Sequence, residues 1–318
     1  MKKRAFSTML QSGFPSFLKA PIVELDESKL MKVKPKACIL GVPFDSTSLY
    51  RTGTNFGPRA IREASEQFLG YHMDFELNIF EAFNLVDCGD VNTVPGNAKK
   101  TFNRIEQAVS KVLKVGAIPI VLGGEHSITF PAVKALAKNA RVGLISLDTH
   151  LDCADESIGG EKLSHATPIA RIAELKNVNP TNIVIIGAHG ALNPLEEKEY
   201  AQQHGITVFT VTDILEKGIG NVIDQPIEIV QKDTDMVYLT VDIDVLDAAY
   251  APGTCSPEPG GLTSRELLQI IRIIGSIKIN AFDVVEVAPQ YDLGGITARI
   301  ASRVILDMLG VIGSKTID

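Results

Sequence analysis

The sequence predicts an α/β fold, in which three layers (α/β/α) are built on a mostly parallel sheet of about eight strands. Short runs rich in β-branched residues recur along the chain, and amphipathic stretches with helical periodicity separate them. The strand runs are continuously apolar instead of alternating with polar residues, which is typical of strands covered on both faces. A repeated βα order with right-handed crossovers gives a single three-layer domain.

Eight segments fit such strands, at residues 37–40, 85–88, 118–122, 142–147, 183–186, 206–209, 237–241 and 282–285. Helical patterns lie between them, at residues 99–115, 130–138, 195–203, 222–231, 264–275 and 296–309. Thr263 or Ser264 is suited to cap the fifth of these helices. Residues 1–35 lack sustained periodicity, and we interpret them as an N-terminal arm that precedes one domain at 36–318.

Composition narrows the functional class. The 318 residues are 45% hydrophobic and 22% charged, which supports a full core and excludes a disordered or fibrous chain. A net charge of −7 gives no general basic surface for nucleic acid or an anionic membrane. Four cysteines without a Cys-x-x-Cys pattern, and no apolar run long enough for a signal peptide or a membrane helix, predict a cytoplasmic protein with free thiols.

Residue types that bind metals follow four of the predicted strands. They are His126, then Asp148, His150 and Asp152, then Asp242 and Asp244, and finally Glu286. Ligands of open α/β sheets bind beyond the carboxyl ends of the strands, so these residues are expected at one rim. In extended segments, side chains two residues apart project on the same side at roughly 6.5 to 7 Å. Two facing rows of this kind could hold two ions.

Charge favours two ions over one. The four aspartates carry −4 when ionised, so two divalent cations balance them, whereas one leaves a formal charge of −2. We expect His126 on one ion and His150 on the other. Mixed nitrogen and oxygen ligands without thiolate favour manganese, with nickel, cobalt or iron as alternatives.

These segments, together with motifs between residues 37 and 310, resemble the ureohydrolase family, which includes arginase, agmatinase and the guanidino-acid hydrolases. The shared motifs are Gly-Val-Pro-Phe-Asp at 41–45, Gly-Pro-Arg-Ala-Ile-Arg at 57–62, Gly-Gly-Glu-His-Ser at 123–127, Asp-x-His-x-Asp at 148–152, Asp-x-Asp at 242–244, Ala-Pro-Gly-Thr at 251–254 and Glu-Val at 286–287. The agmatinase-like branch is the most similar.

The resemblance implies two metal sites that share Asp148 and Asp242. One ion would be held by His126, Asp148, Asp152 and Asp242, and the other by His150, Asp148, Asp242 and Asp244. A hydroxide between the ions would attack the guanidinium carbon of the substrate, and an amine and urea would be released.

The resemblance also implies the catalytic residues. These are Glu286, which would bind the guanidinium, His165, which would shuttle a proton, and the metal ligand Asp152. His165 lies just before a predicted helix at 168–175. Ala166 and Cys255 depart from the family pattern beside the predicted pocket. His189 has no assigned role and is interpreted as structural.

The substrate is predicted as agmatine, which would give putrescine and urea. Asp155 and Glu156, in the loop after Asp152, would repel a carboxylate and attract a second cation. Guanidinobutyrate, guanidinopropionate and free guanidine stay as alternatives, and so does a single-zinc deacetylase-like amidohydrolase, in which Asp152 and His126 would have no role. A binding protein without turnover is a further alternative. The family resemblance implies a homo-oligomer, either a trimer or a hexamer.

Overall fold

A computed structural model describes residues 15–315 and confirms the three-layer α/β/α class. Its strands are β1 (Ala37–Gly41), β2 (Tyr71–His72), β3 (Leu77–Asn78), β4 (Val86–Asp90), β5 (Ile118–Leu122), β6 (Val142–Leu147), β7 (Ile183–Ala188), β8 (Thr207–Thr210), β9 (Met236–Asp242) and β10 (Ala281–Val285). Its helices are α1 (Glu27–Val33), α2 (Gly57–Ser65), α3 (Ile79–Phe83), α4 (Ala98–Lys114), α5 (Thr129–Ala137), α6 (Pro168–Ala173), α7 (Leu195–His204), α8 (Val211–Lys217), α9 (Ile219–Gln231), α10 (Ser264–Ile274) and α11 (Ile296–Ser314).

Eight strands form one sheet in the order β4-β1-β5-β10-β9-β6-β7-β8. Every neighbouring pair in this sheet is parallel. The eight strands coincide with the eight predicted segments within two residues at each end. The two remaining strands, β2 and β3, pair as a short antiparallel hairpin outside the main sheet.

The sheet is buried on both faces, as the continuous apolar runs predict. All six residues of β6 are buried, with Ile145 and Leu147 in one core and Leu144 in the other. The first core is completed by apolar side chains of α2, α9, α10 and α11, and the second by those of α4, α5 and α6. Two hydrophobic layers therefore separate the sheet from helices on either side.

Several short elements have no counterpart in the predicted pattern. They are α1, α2, α3, α8 and the hairpin of β2 and β3. Of the segment treated as an arm, residues 1–14 lie outside the described part of the chain. Within the rest, Phe17 and Leu18 are buried in the first core, and the Phe17 backbone N–H donates to Asp87 at 2.8 Å. Within residues 15–315, no helix is long and apolar enough to cross a bilayer.

The strand order positions the candidate site. Strands β5, β10, β9 and β6 are consecutive in the sheet. The neighbours β5 and β10 are far apart in the chain, and so are the neighbours β9 and β6. The metal-binding residue types follow these same four strands. Gly124 permits the close approach of two segments here, because a side chain at this position would collide with the backbone carbonyl of Phe44.

Candidate metal centre and adjoining cavity

His126 faces three carboxylates at the carboxyl end of the sheet. Its Nδ1 atom lies 2.9 Å from Asp152 Oδ2, 3.0 Å from Asp148 Oδ2 and 3.4 Å from Asp242 Oδ2. His126 is fully buried in the turn after β5, and the other three residues come from β9 and the segment after β6. One imidazole nitrogen and three carboxylates thus converge on one point.

Asp148 connects this group with a second one. While Asp148 Oδ2 faces His126, its Oδ1 atom lies 3.7 Å from Nδ1 of His150. The same His150 nitrogen is 3.1 Å from Asp244 Oδ2. Asp242 is connected to Asp244, since its Oδ1 atom accepts the Asp244 backbone N–H at 2.9 Å. The structure therefore brings together all six predicted ligand residues.

The local backbone differs from the extended rows that we expected. Asp152 lies in the left-handed region, with φ of 47°, and Asp244 lies in a 3-10 helix at Ile243–Val245. The side chains converge because the chain turns immediately after each strand. A strictly extended segment would have carried successive residues farther out along the strand axis, away from the neighbouring strand end.

Burial and mutual charge perturb these groups strongly. Burial alone lowers the pKa of His126, but its contacts with Asp148, Asp152 and Asp242 raise that pKa well above its ordinary value. The pKa of Asp152 is raised to about 6 by burial and by the charge of Asp148. Burial also raises the pKa of Asp242, with Asp244 and Asp148 adding to the effect. The carboxylates are therefore crowded enough to require positive charge between them.

The donor set fits divalent cations. His126, Asp148 and Asp152 each offer a ligand atom within 4.8 Å of the others, and so do Asp148, His150 and Asp244. His126 Nδ1 and Asp148 Oδ2 are buried atoms that lack a hydrogen-bond partner in the described chain. Buried polar atoms rarely lack a partner, so two such atoms facing each other mark a place for an ion. Imidazole and carboxylate ligands without thiolate are typical of manganese, nickel, cobalt and iron.

A network of hydroxyl groups beneath His126 sets its orientation. The Nε2 atom of His126 lies 2.9 Å from Thr240 Oγ1, and that oxygen is 3.3 Å from Thr129 Oγ1. Thr129 and Tyr238 both donate to Asp283, at 2.7 and 2.8 Å. A proton on Nε2 that is donated to Thr240 leaves the lone pair of Nδ1 free to face the carboxylates.

Glu286 lies beside the cluster, directly after β10. Its Oε1 atom accepts the His126 backbone N–H at 2.7 Å, whereas its Oε2 atom is buried and has no hydrogen-bond partner in the described chain. Burial would raise the pKa of Glu286, but contacts from His165, Cys255 and the His126 backbone hold it below its ordinary value. A buried carboxylate with one free oxygen is thus available to a ligand that donates hydrogen bonds.

His165 lies between Glu286 and a surface loop. Its Nδ1 atom is 3.4 Å from Glu286 Oε1, and its Nε2 atom accepts the Leu49 backbone N–H at 3.1 Å. Burial lowers the pKa of His165, but Glu286 outweighs it and raises the pKa to about 9. The contact with Leu49 opposes this rise, because only a neutral ring protonated at Nδ1 satisfies both partners. We therefore assign the neutral Nδ1–H tautomer to this arrangement.

Glu125, which precedes His126, fixes the loop that contacts His165. Its carboxylate accepts the Thr47 backbone N–H at 3.1 Å and the Ser48 hydroxyl at 3.0 Å, and it also contacts the Thr47 hydroxyl. Burial raises the pKa of Glu125 to about 7. Because Leu49 follows directly, this anchoring of Thr47 and Ser48 holds its N–H against His165.

A cavity of about 600 Å³ opens onto the cluster. It is lined by Leu49, Tyr50, His150, Asp152, His165, Ala166, Leu192, Pro194, Glu197, Asp242, Asp244, Cys255, Ser256, Pro257 and Glu286. Ala166 and Cys255, the two departures from the family pattern, are thus both in its wall. No lysine or arginine is in this lining.

The acidic side chain in the outer wall differs from the one that the sequence indicated. Asp155 is paired with Arg171 at 2.9 Å and Lys162 at 3.7 Å, and neither Asp155 nor Glu156 lines the cavity. Glu197, in the first turn of α7, lines it instead and is 8% exposed. Burial and the charge of Asp152 raise the pKa of Glu197 to about 7. Sequence reasoning missed Glu197 because it lies in a charged helical stretch, where glutamate is usually solvated.

His189 and Cys255, whose roles the sequence left open, both contact nearby backbone carbonyls. His189 holds its ring against the Gly187 carbonyl, with Nδ1 at 2.8 Å, and does not line the cavity. The Cys255 thiol donates to the Arg51 carbonyl at 2.8 Å, and burial raises its pKa far above the ordinary range. The four cysteines are free and buried.

Comparison with protein families matches residues 35–310 to the arginase family. An agmatinase from Bacillus anthracis is 40% identical over 279 residues, which are 85% of this chain and 90% of that protein. A mitochondrial guanidino acid hydrolase from Homo sapiens is 35% identical over 304 residues, 94% of this chain and 86% of that protein.

The same similarity appears in a solved structure. Proclavaminate amidinohydrolase from Streptomyces clavuligerus is 37% identical over 272 residues, which cover 85% of this chain and 86% of that protein. Its solved structure superposes with a TM-score of 0.88 and 34% identity, covering 95% of this chain and 98% of the other. The relatives thus share both the fold and the extent of the domain.

Proposed function

Because this chain belongs to the arginase family and is a hydrolase of guanidino C–N bonds, we propose that it hydrolyses agmatine to putrescine and urea with two bound divalent cations. The observation that carries this proposal is the cavity itself. A free Glu286 oxygen lies beside a cluster of carboxylates and imidazoles, and the surrounding walls carry no lysine or arginine. A guanidinium at the cluster and a second positive charge along the wall suit this arrangement.

Two sets of ligands would hold the cations. His126, Asp148, Asp152 and Asp242 would hold one, and His150, Asp148, Asp242 and Asp244 the other. Support comes from the two oxygens of Asp148, each of which faces a different histidine. We propose manganese, with nickel, cobalt or iron as alternatives. When bound, a pair of such cations would lower the pKa of a shared water and polarise the guanidinium.

Glu286 would bind and orient the substrate. Its Oε1 atom is held by the His126 backbone, so the carboxylate is fixed before a ligand arrives. The unpartnered Oε2 atom can accept an N–H of the planar guanidinium, whose charge also balances the carboxylate. Such preorganisation directs the guanidinium carbon toward the cluster.

His165 would move the proton that the leaving amine requires. In the neutral tautomer that satisfies both of its contacts, the proton lies on Nδ1, 3.4 Å from Glu286 and therefore next to the proposed guanidinium. The Leu49 N–H orients the neutral ring through Nε2. The ring would become a general acid once it has taken up a second proton, which its pKa of about 9 beside Glu286 favours.

A guanidino acid is the second candidate substrate, and one observation favours it. Arg51 packs against the rings of Tyr50 and Tyr291, at 5.5 and 4.8 Å from their centroids. Within residues 15–315, no carboxylate lies within 4 Å of its guanidinium. Because Tyr50 lines the cavity, Arg51 could meet the carboxylate of a longer substrate at the rim.

The assembly and location belong to the same proposal. We propose a cytoplasmic homo-oligomer, either a trimer or a hexamer, with a small guanidino substrate as its ligand. Neither nucleic acid nor a membrane is proposed as a partner, because the net charge is −7.

The direct test is urea release from a substrate panel. Metal-free protein would be reloaded with manganese, nickel, cobalt or zinc and assayed with agmatine, arginine, guanidinobutyrate, guanidinopropionate and guanidine. We expect the highest kcat/KM for agmatine with manganese. Glu286→Gln should lower turnover of every guanidino compound by about 100-fold or more, because it removes the charge that meets the guanidinium.

Exposed Glu156→Gln is the matched control, since Glu156 does not line the cavity. Full activity of Glu286→Gln would contradict the binding role. A higher kcat/KM for guanidinobutyrate than for agmatine would instead favour the second candidate, and absence of urea from every substrate would contradict the reaction.

A further inference from the structure

Glu197 is a buried acidic side chain in the wall of the cavity. It is 8% exposed, and its Oε2 atom accepts the Cys153 backbone N–H at 3.1 Å. In the part of the chain from 15 to 315, no lysine, arginine or histidine nitrogen lies within 4 Å of its carboxylate. The buried carboxylate of Glu197 is thus contacted by the Cys153 backbone N–H and by no cationic side chain of these residues. Burying a carboxylate without a cation is costly.

A charge balance of the cavity distinguishes Glu197 from the other acids. The acidic side chains in the lining are Asp152, Asp242, Asp244, Glu197 and Glu286. With Asp148, the three aspartates are balanced by the two proposed cations, and Glu286 is balanced by the guanidinium. Glu197 alone has no matching positive charge, so a ligand that enters the cavity is the available source of a cationic partner for its carboxylate.

The remaining walls specify what lies between the two charged ends. Leu49, Tyr50, Leu192, Pro194 and Pro257 present mostly apolar surface to the same cavity. Such walls suit a chain of methylene groups, since burying each one contributes about 0.8 kcal/mol. A ligand that matches the whole cavity thus has a guanidinium, an alkyl spacer and a terminal cation.

From these observations we infer that Glu197 forms a subsite for the positively charged tail of an aminoalkylguanidine and so selects this substrate class over tails that are neutral or acidic. The inference rests on the proposed guanidino hydrolysis and deepens it. Glu197 acts on binding and takes no part in the bond-breaking step.

Glu197 also has a structural contact, and the test must separate the two roles. Its hydrogen bond with the Cys153 backbone lies next to Asp152 in the chain. Glu197→Gln keeps the size of the side chain and an oxygen that accepts this N–H, but it removes the charge. Exposed Glu196→Gln, one residue earlier in α7, is the matched control.

The experiment compares agmatine with n-pentylguanidine, in which a methyl group replaces the terminal ammonium. Both would be assayed by urea release from manganese-loaded wild type, Glu197→Gln and Glu196→Gln. We expect wild type to prefer agmatine and Glu197→Gln to lower the agmatine/pentylguanidine ratio of kcat/KM about 10- to 100-fold, as for loss of a charged hydrogen bond. The loss should appear in KM and not in kcat, since the tail contact is made equally in the bound ground state and in the transition state.

Several outcomes would overturn the inference. An equal loss for both substrates in Glu197→Gln would reduce Glu197 to a structural role, and an unchanged ratio would exclude it from substrate selection. If Glu197→Gln does not fold, wild type still decides the question, because equal kcat/KM for the two substrates contradicts a tail subsite. In that case urea release from both would leave the proposed reaction intact, whereas no urea from either would reject the reaction itself.

Discussion

Two residues of the candidate site have left-handed backbone conformations that residues other than glycine rarely adopt. Asp152 has a φ of 47° and Glu286 a φ of 65°. Each such conformation costs folding free energy of order 1–3 kcal/mol and persists where surrounding contacts fix it. At Glu286 these contacts are its N–H to the Gly124 carbonyl at 2.9 Å and the His126 N–H to its carboxylate. Retaining a carboxylate where glycine would relieve the backbone is consistent with a functional requirement for the charge.

Thr240→Val tests whether the hydroxyl beneath His126 tunes metal binding. Valine keeps the shape of threonine but removes the oxygen that lies 2.9 Å from His126 Nε2. Without this acceptor the Nδ1 lone pair is less firmly directed at the carboxylates, so manganese affinity should fall about 10- to 100-fold. Calorimetric titration of metal-free protein with manganese measures the change.

Ser146→Ala is the control for this substitution. Ser146 pairs with Thr240 across neighbouring strands, is equally buried, and has a hydroxyl with no partner in the described chain. Its manganese affinity should match that of wild type. Equal affinities for Thr240→Val and Ser146→Ala would contradict the orienting role of Thr240.

The sequence identified the candidate ligands more readily than the residues around them. His126, Asp148 and Asp242 follow apolar strands directly, and the carboxyl ends of parallel strands share one edge. Thr240 lies within a strand, where threonine is ordinary, and Glu197 lies in a charged helical turn. Their roles depend on contacts between segments distant in the chain, which residue spacing does not encode.

At the scale of single elements, α10 begins with a reciprocal cap. Glu266 donates its N–H to Thr263 Oγ1 at 3.2 Å, and Thr263 donates its N–H to Glu266 Oε2 at 2.8 Å. Thr263→Ala should lower the free energy of unfolding by about 1 kcal/mol, because the first turn of the helix loses an acceptor. Urea denaturation measures this change, and Thr263→Ser, which keeps the hydroxyl, should retain most of the stability. Equal losses for the two variants would contradict the capping contribution.

A cluster of charges ties the hairpin of β2 and β3 to α10 and α11. Asp307 is fully buried; its carboxylate lies 3.0 Å from His72 Nε2, accepts from Arg272 at 2.7 Å and also contacts Arg303. Burial would raise the pKa of Asp307, but these three partners together hold it below its ordinary value of 3.8. A carboxyl whose pKa is lower in the folded state stabilises the fold above its unfolded pKa, and this contribution is lost as pH falls through the folded pKa.

Asp307→Asn should therefore make stability less dependent on pH in the acid range. The unfolding free energy of wild type should exceed that of Asp307→Asn at pH 7, and the difference should shrink as pH is lowered below about 4. Urea denaturation at pH 7, 4 and 3 measures it, with exposed Asp224→Asn as control. A difference that stays constant or grows at low pH would contradict the assigned role of Asp307.

Prediction of the elements succeeded where apolar pattern and length were both sufficient. The eight sheet strands and the long helices such as α4 and α11 bury regular apolar stripes. Elements such as α3, of five residues, and the two-residue strands β2 and β3 are too short for a period to be recognised. They form because neighbouring segments cover them, which is a tertiary effect.

For the whole molecule, the arrangement of the strands creates the site. The order β5-β10-β9-β6 brings the ends of four strands together, although β10 follows β5 by more than 150 residues in the chain. The alternating pattern of strands and helices predicts a parallel sheet, but it does not specify which strands are neighbours. The parallel sheet predicted that these four ends lie at one rim, and the family resemblance supplied the expectation of which residues share each ion.

The central claim is that the clustered carboxylates hold two divalent cations. The most direct measurement is elemental analysis of the manganese-loaded, desalted protein together with its rate of urea release. We predict two manganese ions per wild-type chain, and at most one with urea release lost in Asp148→Asn, because each Asp148 oxygen faces a different histidine. Asp155→Asn, at an aspartate outside the cavity lining, should behave as wild type. Full activity with one ion or none per chain would contradict the account.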